Sequence, residues 1–407
     1  MAVVMEAQGT RAVAGTRPRV LMVSPRFLPH LGGVETHVYE LARRINQDGI
    51  TVEVMTIDDT GLLPEAEELA GLQIGRVPGF RSSGEARIAP GLVRAIRNGH
   101  WDILHIQHFH AGVAPLALWA ARAAGIPTVV TFHGGGQRHW LRLRLWPPQP
   151  SLVAPLVLDA TRALLRKAAA LIAVAQFEID TLSPRLGIPR ARFALIPNGF
   201  DPPASVQRDT PRDPSAPRLV SMGRLVQGKG HHRVIAALPH VLAARPGATL
   251  WIAGDGPMKQ ELAERAASAG VAERVRFHAI PASERPRLMA ELANQDVLVA
   301  ISDFEAHPLS VIEALSLGLS AVVAEDRGGL SEIASQGLAR CVAPNAAPQE
   351  LAKAILAEID DPSQVSPRAF PTWNDCAART REIYERILLE NGLQSPPGAG
   401  EARRVSD

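Results

Sequence analysis

Two carboxylates, Glu305 and Glu313, are separated by seven residues with Pro308 between them, in the run Ser-Asp-Phe-Glu-Ala-His-Pro-Leu-Ser-Val-Ile-Glu-Ala-Leu-Ser-Leu-Gly over 302–318. Proline is tolerated at the first position of a helix, where its missing N–H costs nothing, and glycine favours the residue just past a helix end. Pro308 and Gly318 therefore predict a helix between them. Glu305 then lies in the loop before this helix and Glu313 within it, so the two reach different parts of one elongated ligand. The N–H groups of Leu309 and Ser310, at the helix start, have no intrahelical partner and attract a phosphate. A Glu-x7-Glu spacing by itself arises readily by chance in 407 residues. The order strand, loop Glu, Pro, helix, Glu, Gly, strand is what carries the signal.

A second set of candidates lies at Gly223-Arg224 and Gly228-Lys229-Gly230. The run from Gly223 satisfies Gly-x4-Gly-Lys, but Gly230 stands where a phosphate-binding NTPase loop needs Ser or Thr to hold magnesium. Lysines stand only at Lys167, Lys229, Lys259 and Lys353, which gives Lys229 added weight. Gly32-Gly33, between a strand and a helix, lets backbone approach a ligand closely. Histidines cluster after two strands, at 105–110 and at His133; a histidine at a strand end is more often a hydrogen-bonded loop residue than a catalytic one. Gly254-Asp255-Gly256 lacks the third glycine of a dinucleotide site and reads as a tight turn.

These candidates need strands to carry them. Apolar, β-branched runs at 19–23, 52–56, 73–77, 103–106, 128–132 and 171–174 alternate with helix-like segments, including 34–47. A second series runs through 218–222, 249–253, 275–278, 296–301, 319–324 and 340–343. Such alternation argues two doubly wound parallel sheets, with function in the loops at their carboxyl edges. The Pro-rich and polar segment 201–217 reads as the linker between them.

Taken together, 302–318, Gly223-Arg224-Leu225 with Lys229-Gly230, the 29–35 loop, Thr131-Phe132-His133-Gly134, Gly328 to Glu332 and Phe370 to Trp373 resemble the retaining GT-B glycosyltransferases of the family-4 group, also called glycosyl transferases group 1. The resemblance covers nearly the whole chain. It implies an α/β GT-B fold of two Rossmann-like domains facing a central cleft. The acceptor domain is expected at 18–200, the donor domain at 218–370, and a C-terminal helix at 371–390 packs back on the first domain. The implied reaction moves a hexosyl unit from a UDP- or GDP-sugar to a glycan, a lipid-linked glycan or a small metabolite, with retention and without a metal or other cofactor.

The resemblance assigns Arg224 and Lys229 to the leaving diphosphate, Glu313 to the ribose, Glu305 to sugar hydroxyls, and His307, Pro308, Leu309 and Ser310 to the donor. His133, Gly32 and Gly33 fall at the reacting end of the cleft. Ala306-His307 departs from the more usual Gly-Phe, at a loop that lies against the sugar. A sugar-nucleotide epimerase or a non-catalytic sugar-nucleotide-binding protein is the alternative on the same fold. A nicotinamide oxidoreductase lacks its full glycine fingerprint.

A hydrophobic fraction of 46% with 21% charged residues is that of a globular protein, and a net charge of +2 gives no global field for nucleic acid. Cys341 and Cys376 lack metal spacing and suit a reducing cytosol. Residues 1–17 lack the apolar core of a signal peptide and, like 391–407, read as disordered. Bases alternate with large apolar residues at 138–146, which fits either a helix packed on the sheet or contact with an anionic membrane surface. The protein is thus expected in the cytoplasm, either free or in peripheral membrane contact through that segment.

Overall fold

The computed structural model describes residues 17–30, 32–83, 86–109, 113–134, 153–201, 206, 208–281, 284–325, 328–363 and 370–393. The basic segment 138–146 and both termini lie outside the described residues. Strands form where the apolar runs predict: the central runs 103–107, 128–132 and 320–324 are buried along their whole length, as in a parallel sheet covered on both faces, while the edge runs 275–277 and 340–342 stay partly exposed. The first sheet begins with β1 (Arg19–Val23), β2 (Thr51–Asp58), β3 (Ala66–Leu69) and β4 (Leu72–Pro78). A separate hairpin, β5 (Phe80–Ser83) and β6 (Ala86–Ile88), precedes β7 (Ile103–Gln107), β8 (Thr128–Phe132), β9 (Ala170–Ala173) and β10 (Phe193–Leu195). The eight strands of the sheet run in the order β10-β9-β8-β7-β1-β2-β4-β3, all pairs parallel except β3 with β4.

The second sheet comprises β11 (Arg218–Met222), β12 (Thr249–Ala253), β13 (Val275–Phe277), β14 (Val297–Ala300), β15 (Ser320–Ala324) and β16 (Arg340–Val342). Its order is β13-β12-β11-β14-β15-β16, parallel throughout. In each sheet one strand has its chain neighbour on one side and a later strand on the other: β1 between β2 and β7, and β11 between β12 and β14. These are the topological switch points, where the loops diverge and leave a crevice for a ligand.

The predicted helix before Gly318 spans Leu309–Ser316, and Gly318 takes the left-handed conformation (φ +83°) that a helix terminator needs. Pro308 sits one residue earlier than expected. With φ −76° and ψ 89° it is the cap rather than the first helical residue, and its carbonyl accepts from the N–H groups of Val311 and Ile312. The helix after the glycine pair begins at Gly33 and runs to Gln47.

The helix Trp373–Glu390 packs on the Gly33–Gln47 helix and on the first sheet, burying Trp373, Tyr384, Ile387 and Leu388 in one cluster with Val38, Leu41 and Ile45. Thr372 caps it, accepting from the Asp375 N–H at 3.1 Å. The chain can return this closely only because residue 199 is glycine: a Cβ there would stand 2.3 Å from Trp373 N and 2.5 Å from Thr372 O. Among the described residues no helix is long and apolar enough to cross a membrane.

Because backbone rather than a flexible side chain meets that added carbon, Gly199→Ala should destabilise the fold by about 1–3 kcal/mol, as overpacking does. Thermal denaturation checks this, and an unchanged melting temperature would mean that the returning helix is not tied down at this point.

Candidate functional site

The carboxyl edge of the second sheet gathers two of the predicted groups at its switch point. The loop after β11 ends in a short 3-10 turn, Gln227–Lys229, and the loop after β14 carries Ser302 to His307. The two are joined by the Asp303 N–H donating to Gly228 O at 2.8 Å. Gly230, at φ +72°, approaches β14 so closely that a Cβ would lie 1.9 Å from Ile301 O. Glycine is therefore required where an NTPase loop would place its metal-binding hydroxyl.

This join brings Lys229 Nζ onto Glu305 Oε1, which also accepts from Ser302 Oγ at 2.7 Å. Lys229 and Glu305 form an ion pair that stays partly open to solvent. Arg224 lies exposed on the same loop, its carbonyl accepting from His231 Nε2 at 3.2 Å. His231 Nδ1 in turn accepts from Ser221 Oγ at 2.9 Å, and burial lowers its pKa to about 4. The loop is thus braced from beneath by a neutral imidazole.

Glu313 is buried within its helix and accepts from Arg285 Nη2 at 2.7 Å. Burial works to lower the Arg285 pKa, but the carboxylates of Glu313, Glu40 and Asp201 outweigh it and raise the value. Glu305 and Glu313 consequently have separate cationic partners. Leu309 and Ser310 open the helix, and Pro308 precedes them.

Across the cleft, Gly32 and Gly33 follow β1. Thr36 N–H donates to Gly32 O at 3.0 Å, starting the helix, and Glu35 is held under the loop by Arg26 Nε at 3.1 Å. A Cβ on Gly33 would come 3.8 Å from Leu309 Cδ1, so the two predicted backbone sites meet face to face. The turn after β8 reaches the same place. Gly134, at φ +95°, would bring a Cβ to 3.1 Å from the Phe304 ring and 3.2 Å from Ala306 Cβ. That turn is fixed by buried Glu178, whose carboxylate accepts from the N–H groups of Gly134 at 2.6 Å and Val174 at 2.8 Å.

His133 is buried beside this turn, and a chain of hydrogen bonds determines its tautomer. His133 Nε2 donates to Gln107 Oε1 at 2.9 Å, the Gln107 amide donates to His105 Nε2 at 3.3 Å, and His105 Nδ1 donates to the Tyr384 hydroxyl. Thr131 Oγ1 also reaches His105 Nε2, at 2.7 Å. Burial, with the charge of His37 second, lowers the pKa of His133 well below the ordinary value and that of His105 to about 3. His307, half-buried on the opposite loop, is lowered by the same causes to about 3.

The structure therefore brings His133, Gly32, Gly33, Lys229, Glu305, His307, Pro308, Leu309 and Ser310 to one cleft, with Glu313 and Arg224 at its margins. Several partners carry no signal in the sequence. His37, Asn198, Gln107, Glu178 and Arg285 each look like ordinary residues of a helix, strand end or loop. A charged Glu178 amid apolar neighbours is the one faint clue.

Two parallel-sheet domains with facing switch points, joined by a returning C-terminal helix, define a GT-B architecture. Residues 31–203 match Glycosyltransferase Family 4 and residues 205–370 match Glycosyl transferases group 1, so the chain belongs to the group 1 glycosyltransferases. It is 26% identical over 420 residues to the glycogen synthase of Mycobacterium tuberculosis, covering 93% of this chain and 96% of that protein. With the 2-deoxystreptamine glucosyltransferase of Streptomyces kanamyceticus it shares 25% identity, covering 87% and 99% of the respective chains. In fold it is similar to Anabaena HepE in complex with UDP-glucose, with a TM-score of 0.65 at 20% identity, covering 92% of this chain and 99% of that one.

The neutral histidines make a prediction about pH. His37 and His231, each lowered to about 4, and His105 and His307, each lowered to about 3, take up protons on unfolding wherever the pH lies between those values and 6.5. The unfolded chain then binds more protons, so stability is full above about 6.5 and is lost as pH falls towards 4. The melting temperature should drop steadily over that window. A flat profile between pH 6.5 and 5 would contradict burial of neutral imidazoles.

Proposed function

We propose that the protein is a retaining hexosyltransferase, using a UDP- or GDP-sugar as donor and a glycan, a lipid-linked glycan or a small metabolite as acceptor. The observation that carries this reading is the meeting of Lys229 and Glu305 at the switch point of the second sheet, opposite His133 and Gly33. Transfer from a nucleotide-sugar develops negative charge on the leaving diphosphate and positive charge on the sugar. Lys229 and Arg224, with the first N–H groups of the Leu309–Ser316 helix, neutralise the former in place of a metal ion. Glu305 faces the latter and ligates sugar hydroxyls, and His307 and Pro308 complete the loop against the sugar.

Glu313 holds the ribose, with Arg285 orienting its carboxylate. The second sheet is then the donor domain and the first, with Gly32, Gly33 and His133 at the reacting end, the acceptor domain. HepE, of the same fold, binds UDP-glucose, which favours a uridine donor among the two. An epimerase on this fold would release a changed nucleotide-sugar without any acceptor, so a product assay lacking acceptor separates the two reactions. A thermal-shift screen of nucleoside diphosphates and their sugars tests the donor first: a ligand at 100 times its Kd should add about 2.7 kcal/mol of stability.

Charge-assisted contacts are worth about 1.5–3 kcal/mol each, so Lys229→Ala and Arg224→Ala should each lower kcat/KM by about one to two decades. A chelator should leave turnover unchanged. Wild-type kinetics in both variants would remove these cations from the mechanism, and strict dependence on added magnesium or manganese would contradict the metal-free scheme.

A further inference from the structure

His37 lies on the Gly33–Gln47 helix, 2% exposed, with its ring edge-on to His133 at a centroid distance of 4.6 Å and to Trp373 at 5.8 Å. Its Nδ1 donates to Asn198 Oδ1 at 2.8 Å. The proton is thereby assigned to Nδ1, which leaves Nε2 as a bare lone pair. Nε2 is enclosed by the protein, yet it meets no hydrogen-bond donor among the described residues. An enclosed polar atom of this kind is costly unless something reaches it.

The opposite domain presents the counterpart. His307, two residues beyond Glu305, has an equally enclosed Nδ1 that meets no partner among the described residues. Its neighbour Ala306 faces Gly134, and the ring of His133, beside that glycine, lies 4.6 Å from the ring of His37. Their loops also touch: Gly33 meets Leu309, and the His133–Gly134 turn rests on Phe304 and Ala306. One imidazole nitrogen from each domain is thus enclosed and, among the described residues, unmatched, beside the place where the nucleotide-sugar reading puts the transferred sugar.

We infer that His37 and His307 form a hydroxyl-reading subsite for the transferred sugar, each domain contributing one nitrogen. A hydroxyl is the group that fits, because it donates one hydrogen bond and accepts others. Its O–H donates to His37 Nε2, and its oxygen accepts from His307 Nδ1 in the tautomer that carries a proton there. A cation would be repelled by that N–H, and an anion by the His37 lone pair. Asn198 is a positioning residue, since it holds the lone pair in place without touching the ligand. Sites built to hydrogen-bond a hydroxyl reject analogues that lack it far more strongly than apolar pockets discriminate by size. The subsite therefore selects the sugar and leaves the nucleotide unread.

This inference rests on the nucleotide-sugar reading, and the test separates the two. UDP, UDP-glucose, GDP and GDP-mannose are titrated calorimetrically into the full chain and into the His37→Phe and His307→Phe variants. The wild type should bind one nucleotide-sugar more tightly than its bare nucleotide. Each variant should lose about tenfold or more of that gain while the nucleoside diphosphate binds as before, which also certifies its fold. Should His37→Phe fail to fold, His307→Phe, on a half-buried loop, carries the test alone. Binding of the nucleotide-sugar unchanged in both variants would overturn the subsite. A defect confined to turnover, with donor binding intact, would move the hydroxyl to the acceptor and overturn its assignment to the sugar. If neither nucleotide nor nucleotide-sugar binds the wild type, the nucleotide-sugar reading falls with it.

Discussion

The ion pair between Lys229 and Glu305 is the contact on which the rest of the site depends. Holding a cation and a carboxylate together in a partly desolvated crevice costs hydration, and geometry must offset that cost. Here the geometry comes from backbone. The Asp303 N–H seated on Gly228 O and the close approach of Gly230 to Ile301 leave the two loops little freedom to separate. The switch point of β11 and β14 supplies the crevice, and the zipped loops supply the charges within it.

The first domain is fitted to that crevice by contacts of a different kind. Glu332, on the Gly329–Ser335 helix, accepts from the N–H groups of Gln176 at 3.2 Å and Phe177 at 3.1 Å, so a carboxylate of one domain caps a helix of the other. Phe177 then packs edge-on against Phe304 at 5.8 Å, beside Glu305. The returning helix adds a second constraint, because Tyr384 and Trp373 touch His105 and His37 respectively. The element that braces the first domain also fixes the rings that line the cleft, so fold stability and site geometry are coupled through the same side chains.

Much of this was legible in the sequence, for identifiable reasons. Strands β12, β14 and β15 of the second sheet are short apolar runs bounded by glycine or polar residues, as burial in a parallel sheet requires. Gly318 and Gly230 announce themselves because only glycine takes their backbone angles without strain. Strand β3, Ala-Glu-Glu-Leu, escaped notice because it is a charged antiparallel edge with no apolar run, and β10 because three residues carry no periodicity. Pro308 caps its helix instead of opening it, since its fixed φ suits the cap as well as the first turn. Partners distant in sequence left no trace at all: His37 and Asn198 are 161 residues apart, and His105 and Tyr384 are 279 apart.

If Lys229 and Glu305 act as one unit in sugar transfer, their contributions cannot be independent. A double-mutant cycle on the release of nucleoside diphosphate from the nucleotide-sugar, with Lys229→Ala, Glu305→Gln and the double variant, measures this directly. Strong non-additivity is expected, with the double variant little worse than the poorer single one and a coupling energy of about 1–3 kcal/mol. Losses in kcat/KM that simply multiply would contradict it, and would mean that the two charges meet in the fold without sharing a task.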